Sequence, residues 1–130
     1  MATFHIQMAA QKQYSLPELE QSLRANRNFE FCTRTEQTFD DAAVLLLVFE
    51  QIFIRASGTI SLTVLLTEKG DQQTADLIAT GGREGLSYSF GACRSFVREA
   101  AAILEPLGFS ALNPEPEKKL HQKVLDYLFD

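Results

Sequence analysis

The sequence has no tryptophan, only two cysteines and two histidines in 130 residues, and twelve Lys and Arg against seventeen Asp and Glu. Each shortage closes off a class of protein. Cys32 and Cys93 stand far apart with no Cys-x-x-Cys spacing, which removes a disulfide framework and a zinc ribbon and leaves two reduced thiols. Two histidines supply neither a zinc enzyme nor a ready general base, and no pair of carboxylates stands out from the surface acids as an acid and base couple. The longest apolar run, Ala42 to Phe49, falls well short of the roughly 20 residues a membrane helix needs. The start, Met1-Ala2-Thr3-Phe4-His5-Ile6-Gln7, has neither a basic leader nor a secretion core, so a cytoplasmic home is expected.

What is present is apolar bulk. Hydrophobic residues make up 45% of the chain, and the aromatics are ten Phe and three Tyr. That is too much for intrinsic disorder, and a chain of this length removes about two thirds of its surface from water on folding. A single domain over 1–130 is expected.

Phe4, Ile6 and Met8 alternate with polar neighbours, the period of a strand over 2–8. Ser15-Leu16-Pro17-Glu18 reads as a capping box opening a helix over 16–26, with Leu16, Leu19 and Leu23 on one face. From Phe29 the period is 2 across four strands, 29–37, 43–56, 59–68 and 73–80, divided by Phe39-Asp40-Asp41, Ser57-Gly58 and Lys69-Gly70-Asp71. The strand 43–56 is apolar on both faces and belongs in a sheet interior. Residues 86–90 fit a last short strand or the lead-in to a helix. A helix over 91–105 carries Cys93, Val97, Ala100, Ala101 and Leu104 in one stripe, widened by Phe96 and Ile103, and Gly108 stops it. Asn113-Pro114-Glu115 then starts an amphipathic helix over 114–130, with Leu120, Val124, Tyr127 and Leu128 along one side.

The order β-α-β-β-β-β-(β)-α-α predicts an α+β fold, an antiparallel sheet of five to six strands with helices packed on it. Over about residues 2–107 this order resembles the TATA-binding-protein half and a reduced helix-grip fold. The likeness is of topology alone, and a shared fold does not carry function.

Charge is unevenly placed. Within 29–82, Arg34, Arg55 and Lys69 face Glu30, Glu36, Asp40, Asp41, Glu50, Glu68, Asp71 and Asp76. A nucleic-acid platform needs the opposite balance, because phosphate contacts dominate such affinity, so nucleic acid is not an expected partner. Asp40 and Asp41 with Glu36 offer oxygens to a cation, but no calcium-loop pattern is present and a solvated turn is the plainer reading. No metal or cofactor is expected.

Three further groups of residues are candidates. Gly82, Arg83 and Gly85, ahead of a helix N-terminus near Gly91, suit an anion, although the run matches neither the Walker nor the dinucleotide pattern. Cys93, in the first turn of that helix beside Arg94, is a weak nucleophile candidate without a histidine near it in sequence, and a buried structural thiol is the reading preferred. Phe31, Phe49, Phe96 and Leu104 are candidates to line a cavity for a small apolar ligand between helix and sheet.

If the central strands pair in simple hairpin register, the second sheet face joins Leu45, Leu47, Phe49, Phe53 and Leu65 to Ser61, Thr63 and Thr67. Such a wall is too apolar for open water, and the C-terminal helix, a second copy or a ligand is expected to cover it. The leading expectation is a non-catalytic interaction module that forms a homodimer. A helix-grip-like carrier is the alternative, with a Cys93 enzyme behind it.

Overall fold

The computed structural model describes residues 2–53, 58–81 and 87–112. Alternation of apolar and polar side chains draws Ala2–Gln11 into β1, three residues beyond the predicted end. Helix α1, Leu16–Arg24, begins where expected. The Ser15 Oγ accepts from the Glu18 N–H at 3.3 Å and donates to the Glu18 carboxylate at 3.1 Å. The reciprocal bond of the box is thus made to the hydroxyl.

Four strands follow: β2 (Glu30–Thr38), β3 (Ala42–Phe53), β4 (Gly58–Lys69) and β5 (Gln72–Gly81). Gly70, at φ 58°, supplies the positive φ of the tight β4–β5 turn. Helix α2, Ser87–Leu104, starts four residues before the predicted helix, so the ambiguous stretch is helical from Ser87 and is not a strand. A 3₁₀ turn, Glu105–Leu107, ends at Gly108, whose φ of 100° is the expected left-handed stop. A short strand absent from the sequence reading, β6 (Ser110–Ala111), then returns to pair with β1.

The protein is α+β, with one antiparallel sheet in the order β2-β3-β4-β5-β1-β6 and two helices on it. As its double apolarity implied, β3 is an interior strand.

The core lies between one face of the sheet and the helices. Ile60, Leu62, Val64 and Leu66 of β4 are fully buried, as the clean alternation of that strand foretold. On the helix side Cys93, Phe96, Val97, Ala100 and Leu104 are equally buried, and Leu19 and Leu23 of α1 join them. Phe29 links the two layers, its ring 5.4 Å from that of Phe49 and 5.1 Å from that of Phe96. Each such aromatic contact adds about 0.5–1.5 kcal/mol to the burial of the rings.

The register corrects one expectation. Leu45 pairs with Leu66, Leu47 with Val64 and Phe49 with Leu62, so the odd residues of β3 share a face with the even residues of β4. Leu45, Leu47 and Phe49 therefore belong to the helix-covered core. The other face takes Val44, Leu46 and Val48 beside Thr67, Leu65 and Thr63. A shift of one residue exchanges every side chain between faces.

Candidate interaction face

The face turned away from the helices can be followed strand by strand. Through its middle run two rows: His5, Ile78, Thr63, Val48 and Thr33, then Gln7, Asp76, Leu65, Leu46 and Thr35. Ala9, Thr74, Thr67, Val44 and Gln37 flank them on one side, and Thr3, Thr80, Ser61, Glu50 and Glu30 on the other. Period-2 alternation places the residues of β3, β4 and β5 here because their neighbours in sequence fill the core, whereas in β2 only Phe31 is partly buried.

Val44, Leu46, Val48, Leu65 and Ile78 are half-buried by their strand neighbours and form a contiguous aliphatic patch within a border of threonine. Among the described residues no helix lies on this face. Across these four rows the ionisable groups are His5, Asp76, Glu30 and Glu50, and the next row, Gln11, Gln72, Lys69 and Ala42, adds the exposed Lys69 at the rim. His5 Nε2 is 2.9 Å from Asp76 Oδ1, with the two side chains 50% and 18% exposed, so this charge is already partnered within the chain. Glu30 and Glu50 face each other across β2 and β3 at one corner.

Beside that corner a bulge between Phe31 and Thr33 sets Cys32 in the solvent. Desolvation, followed by the charges of Glu50 and Glu30, raises its thiol above the ordinary value. A bulge and charged side chains are the usual means of blunting an edge strand such as β2.

Cys93 lies in the second turn of α2, past the helix start where a macrodipole would act on it. It is fully buried, its Sγ is 3.7 Å from the Ala2 carbonyl oxygen, and burial pushes the thiol up. His5 stands on the opposite face of the sheet, so the structure brings no described histidine to this thiol. His121, Gly82, Arg83, Gly85 and the segment 114–130 lie outside the described residues.

Of the four residues proposed to line a cavity, Phe49, Phe96 and Leu104 are brought together as fully buried core. Phe31 packs on Phe49 at 6.0 Å between ring centroids, and Arg24 stacks over its outer side 3.8 Å from the ring centroid. A surface pocket of about 390 Å³ lies elsewhere, along Pro17, Glu20, Gln21, Arg24 and Ala25 at α1.

The acidic turn does not assemble a cation site. Glu36 is held by Arg34 at 2.9 Å, Asp41 lies 3.9 Å from Lys69, and no cluster of metal-ligating side chains occurs among the described residues.

Sequence reasoning missed a charge cluster on the core side of β2. Glu20 Oε2 accepts from Arg24 at 3.0 Å and from Arg34 at 2.9 Å, and Arg34 also holds Glu36. These bonds raise the Arg34 pKa further, the bond to Glu36 first. The Glu20–Arg24 half had a signal in its i,i+4 spacing, whereas the Arg34 half depends on the meeting of α1 with β2.

Fold and site together define a small α+β protein whose sheet is covered by helices on one face and, among the described residues, carries an uncovered aliphatic patch on the other. Residues 1–108 match the model of a family of unknown function, DUF6054, and the chain belongs to that family. No curated protein and no solved structure matches it. Among the described residues no helix is long and apolar enough to cross a membrane.

Proposed function

We propose that this chain is a non-catalytic interaction module of the cytoplasm that works as a homodimer, two copies laying their open sheet faces together. The observation that carries the reading is the aliphatic patch of Val44, Leu46, Val48, Leu65 and Ile78, half-buried and, among the described residues, without a helix over it. Depletion of charge marks the centre of a protein interface, and here the one central acid, Asp76, is already paired with His5. Twenty positions at strand and two-residue spacing span about 650 Å², close to the ~800 Å² per partner of a standard interface.

The packing favours this reading over a carrier, because Phe49, Phe96 and Leu104 fill the space between helix and sheet that a ligand needs. The acid excess of the strand region supports a protein partner over one that bears phosphates.

Light scattering across the micromolar range tests the proposal. The native protein is expected at twice the chain mass and Leu46→Arg at the mass of a single chain, since a buried unpaired guanidinium costs several kcal/mol in each copy. A native protein that stays monomeric throughout overturns it.

A further inference from the structure

We propose that the two copies of the dimer are related by a two-fold axis that runs across the strands, along the row of Asp76, Leu65 and Leu46, so that Lys69 of each copy meets the partner's Glu50. This arrangement rests on the reading of the open face as a dimer surface and specifies how the second copy sits on it.

A closed pair of identical chains uses the same patch twice, and stacked sheets keep their strands nearly aligned. Two axes within the interface satisfy both conditions, one along the strands and one across them. The apolar side chains separate the two. An axis across the strands sets Leu65 and Leu46 on their own copies and Val44 against the partner's Val48, because Val44 and Val48 stand on β3 one row to either side of Leu46. Leu112 also falls on that axis. Its N–H donates to the Gln7 carbonyl at 2.8 Å, which places it, 50% exposed, at the β6 end of the same row. Ile78 alone of the patch then meets a hydroxyl, that of the partner's Thr74. Asp76 meets its own copy, each carboxylate held by its own His5 at 2.9 Å.

An axis along the strands matches less. Passing between β3 and β4, it sets Val44 and Val48 over Thr67 and Thr63. Following β3, it sets Leu65 over Thr35 and carries Ile78 past the edge of the sheet.

Charge chooses the same axis. On β4 Lys69 lies four residues beyond Leu65, and on β3 Glu50 lies four residues beyond Leu46 in the opposite direction, so each is about 13 Å from the row. Rotation about the row brings the two to one end of the interface, about 5 Å apart sideways across sheets about 10 Å apart, within the span of a lysine side chain. Within the chain Lys69 is held loosely, 3.9 Å from Asp41 with both side chains 74% exposed, and Glu50 faces Glu30 across β3 and β2. A copy turned end for end gives the lysine a carboxylate and the acidic corner a cation, the kind of complementarity that fixes register. The axis along the strands instead keeps lysine against lysine and acids at the acidic end.

The test uses the full-length chain and follows the dimer by light scattering on dilution at low salt. Lys69→Glu and Glu50→Lys each bring like charges together twice per dimer, and each is expected to loosen it about tenfold. Both positions are exposed, so the fold bears either charge. Mixed in equal amounts at a concentration where each alone is monomeric, the two variants are expected to form a heterodimer with the native affinity, since both contacts then join opposite charges. If the native chain dimerises but the mixture stays as weak as its components, or the single variants are as tight as the native chain, the arrangement is overturned and the dimer stands. Tightening by Lys69→Gln overturns it too, being the result of an axis along the strands. A native chain that stays monomeric removes the dimer and the arrangement together.

Discussion

At the scale of single residues, two cysteines of one chain sit in opposite circumstances. Cys32 is in the solvent on a strand bulge, whereas Cys93 is sealed between α2 and β1. A colorimetric thiol reagent is therefore expected to titrate one thiol per native chain at neutral pH and two in denaturant. The reaction of Cys32 is slower than that of a free cysteine, because its thiol is raised by desolvation and by Glu50 and Glu30. Burial also raises Cys93 above the ordinary 9.0, so the native state keeps a proton that the unfolded chain loses. The contribution is fully present below the unfolded value and is lost as pH rises through the native one. Urea unfolding measured between pH 7 and pH 10 is expected to show a fall in stability at the alkaline end that is shallower in Cys93→Ala.

Glu20 presents a different balance. Its carboxylate is nearly buried and accepts from two guanidinium groups, which are themselves 43% and 37% exposed. On Glu20→Ala those arginines return to water, so the cost is set by lost bonds and not by stranded charge. About 1 kcal/mol is expected from denaturant unfolding. A loss of 3 kcal/mol or more would mean that Arg24 and Arg34 cannot resolvate.

At the scale of elements, legibility followed the strength of the local signal. The Ser15 cap, the stripe of α2 and the clean alternation of β4 each depend on neighbours a few residues away, and all three stand in the structure. The start of α2 was ambiguous because Leu86-Ser87-Tyr88-Ser89-Phe90 satisfies a period of 2 as well as a helix, and continuation into the strong pattern beyond Gly91 decided it. β6 was invisible, since two residues have no periodicity and their pairing with Met8 and Ala9 is a long-range event.

The helix stripe implies a measurable contrast between the two faces of the sheet. Phe96 is fully buried and touches Phe29, so Phe96→Ala leaves a cavity and is expected to cost about 3–5 kcal/mol. Val48→Ala on the half-buried open face is expected to cost about 1 kcal/mol or less in the monomer, because water already reaches that side chain. Comparable losses at the two sites, read by thermal unfolding of dilute protein, would show the open face to be covered within each chain.

At the scale of the whole molecule, the pairing of β3 with β4 decides what the surface is. Both rows of β3 are apolar, so either row satisfies the core and the sequence of the strand does not choose between them. Pairing Phe53 with Gly58 places Phe49 over Leu62 and turns Val44, Leu46 and Val48 outward. The outward row carries valine at two of three positions, where β-branched side chains suit a half-exposed pleated surface, and that was the one local hint. If two such faces associate, stability depends on protein concentration by mass action. The melting temperature of the native chain is then expected to rise with concentration, and that of Leu46→Arg to stay constant.

Sequence alone determined the α+β class, the order of the elements from β1 to α2 and the interior place of β3, because each follows from periods, caps and composition within short windows. The candidate face needed the tertiary structure. Which row of a doubly apolar strand faces the helices is set by the register across a hairpin, and which charges end as partners, such as His5 with Asp76 or Arg34 with Glu20, is set by the meeting of segments far apart in the chain. A one-residue difference in pairing leaves every local pattern intact and exchanges the two faces.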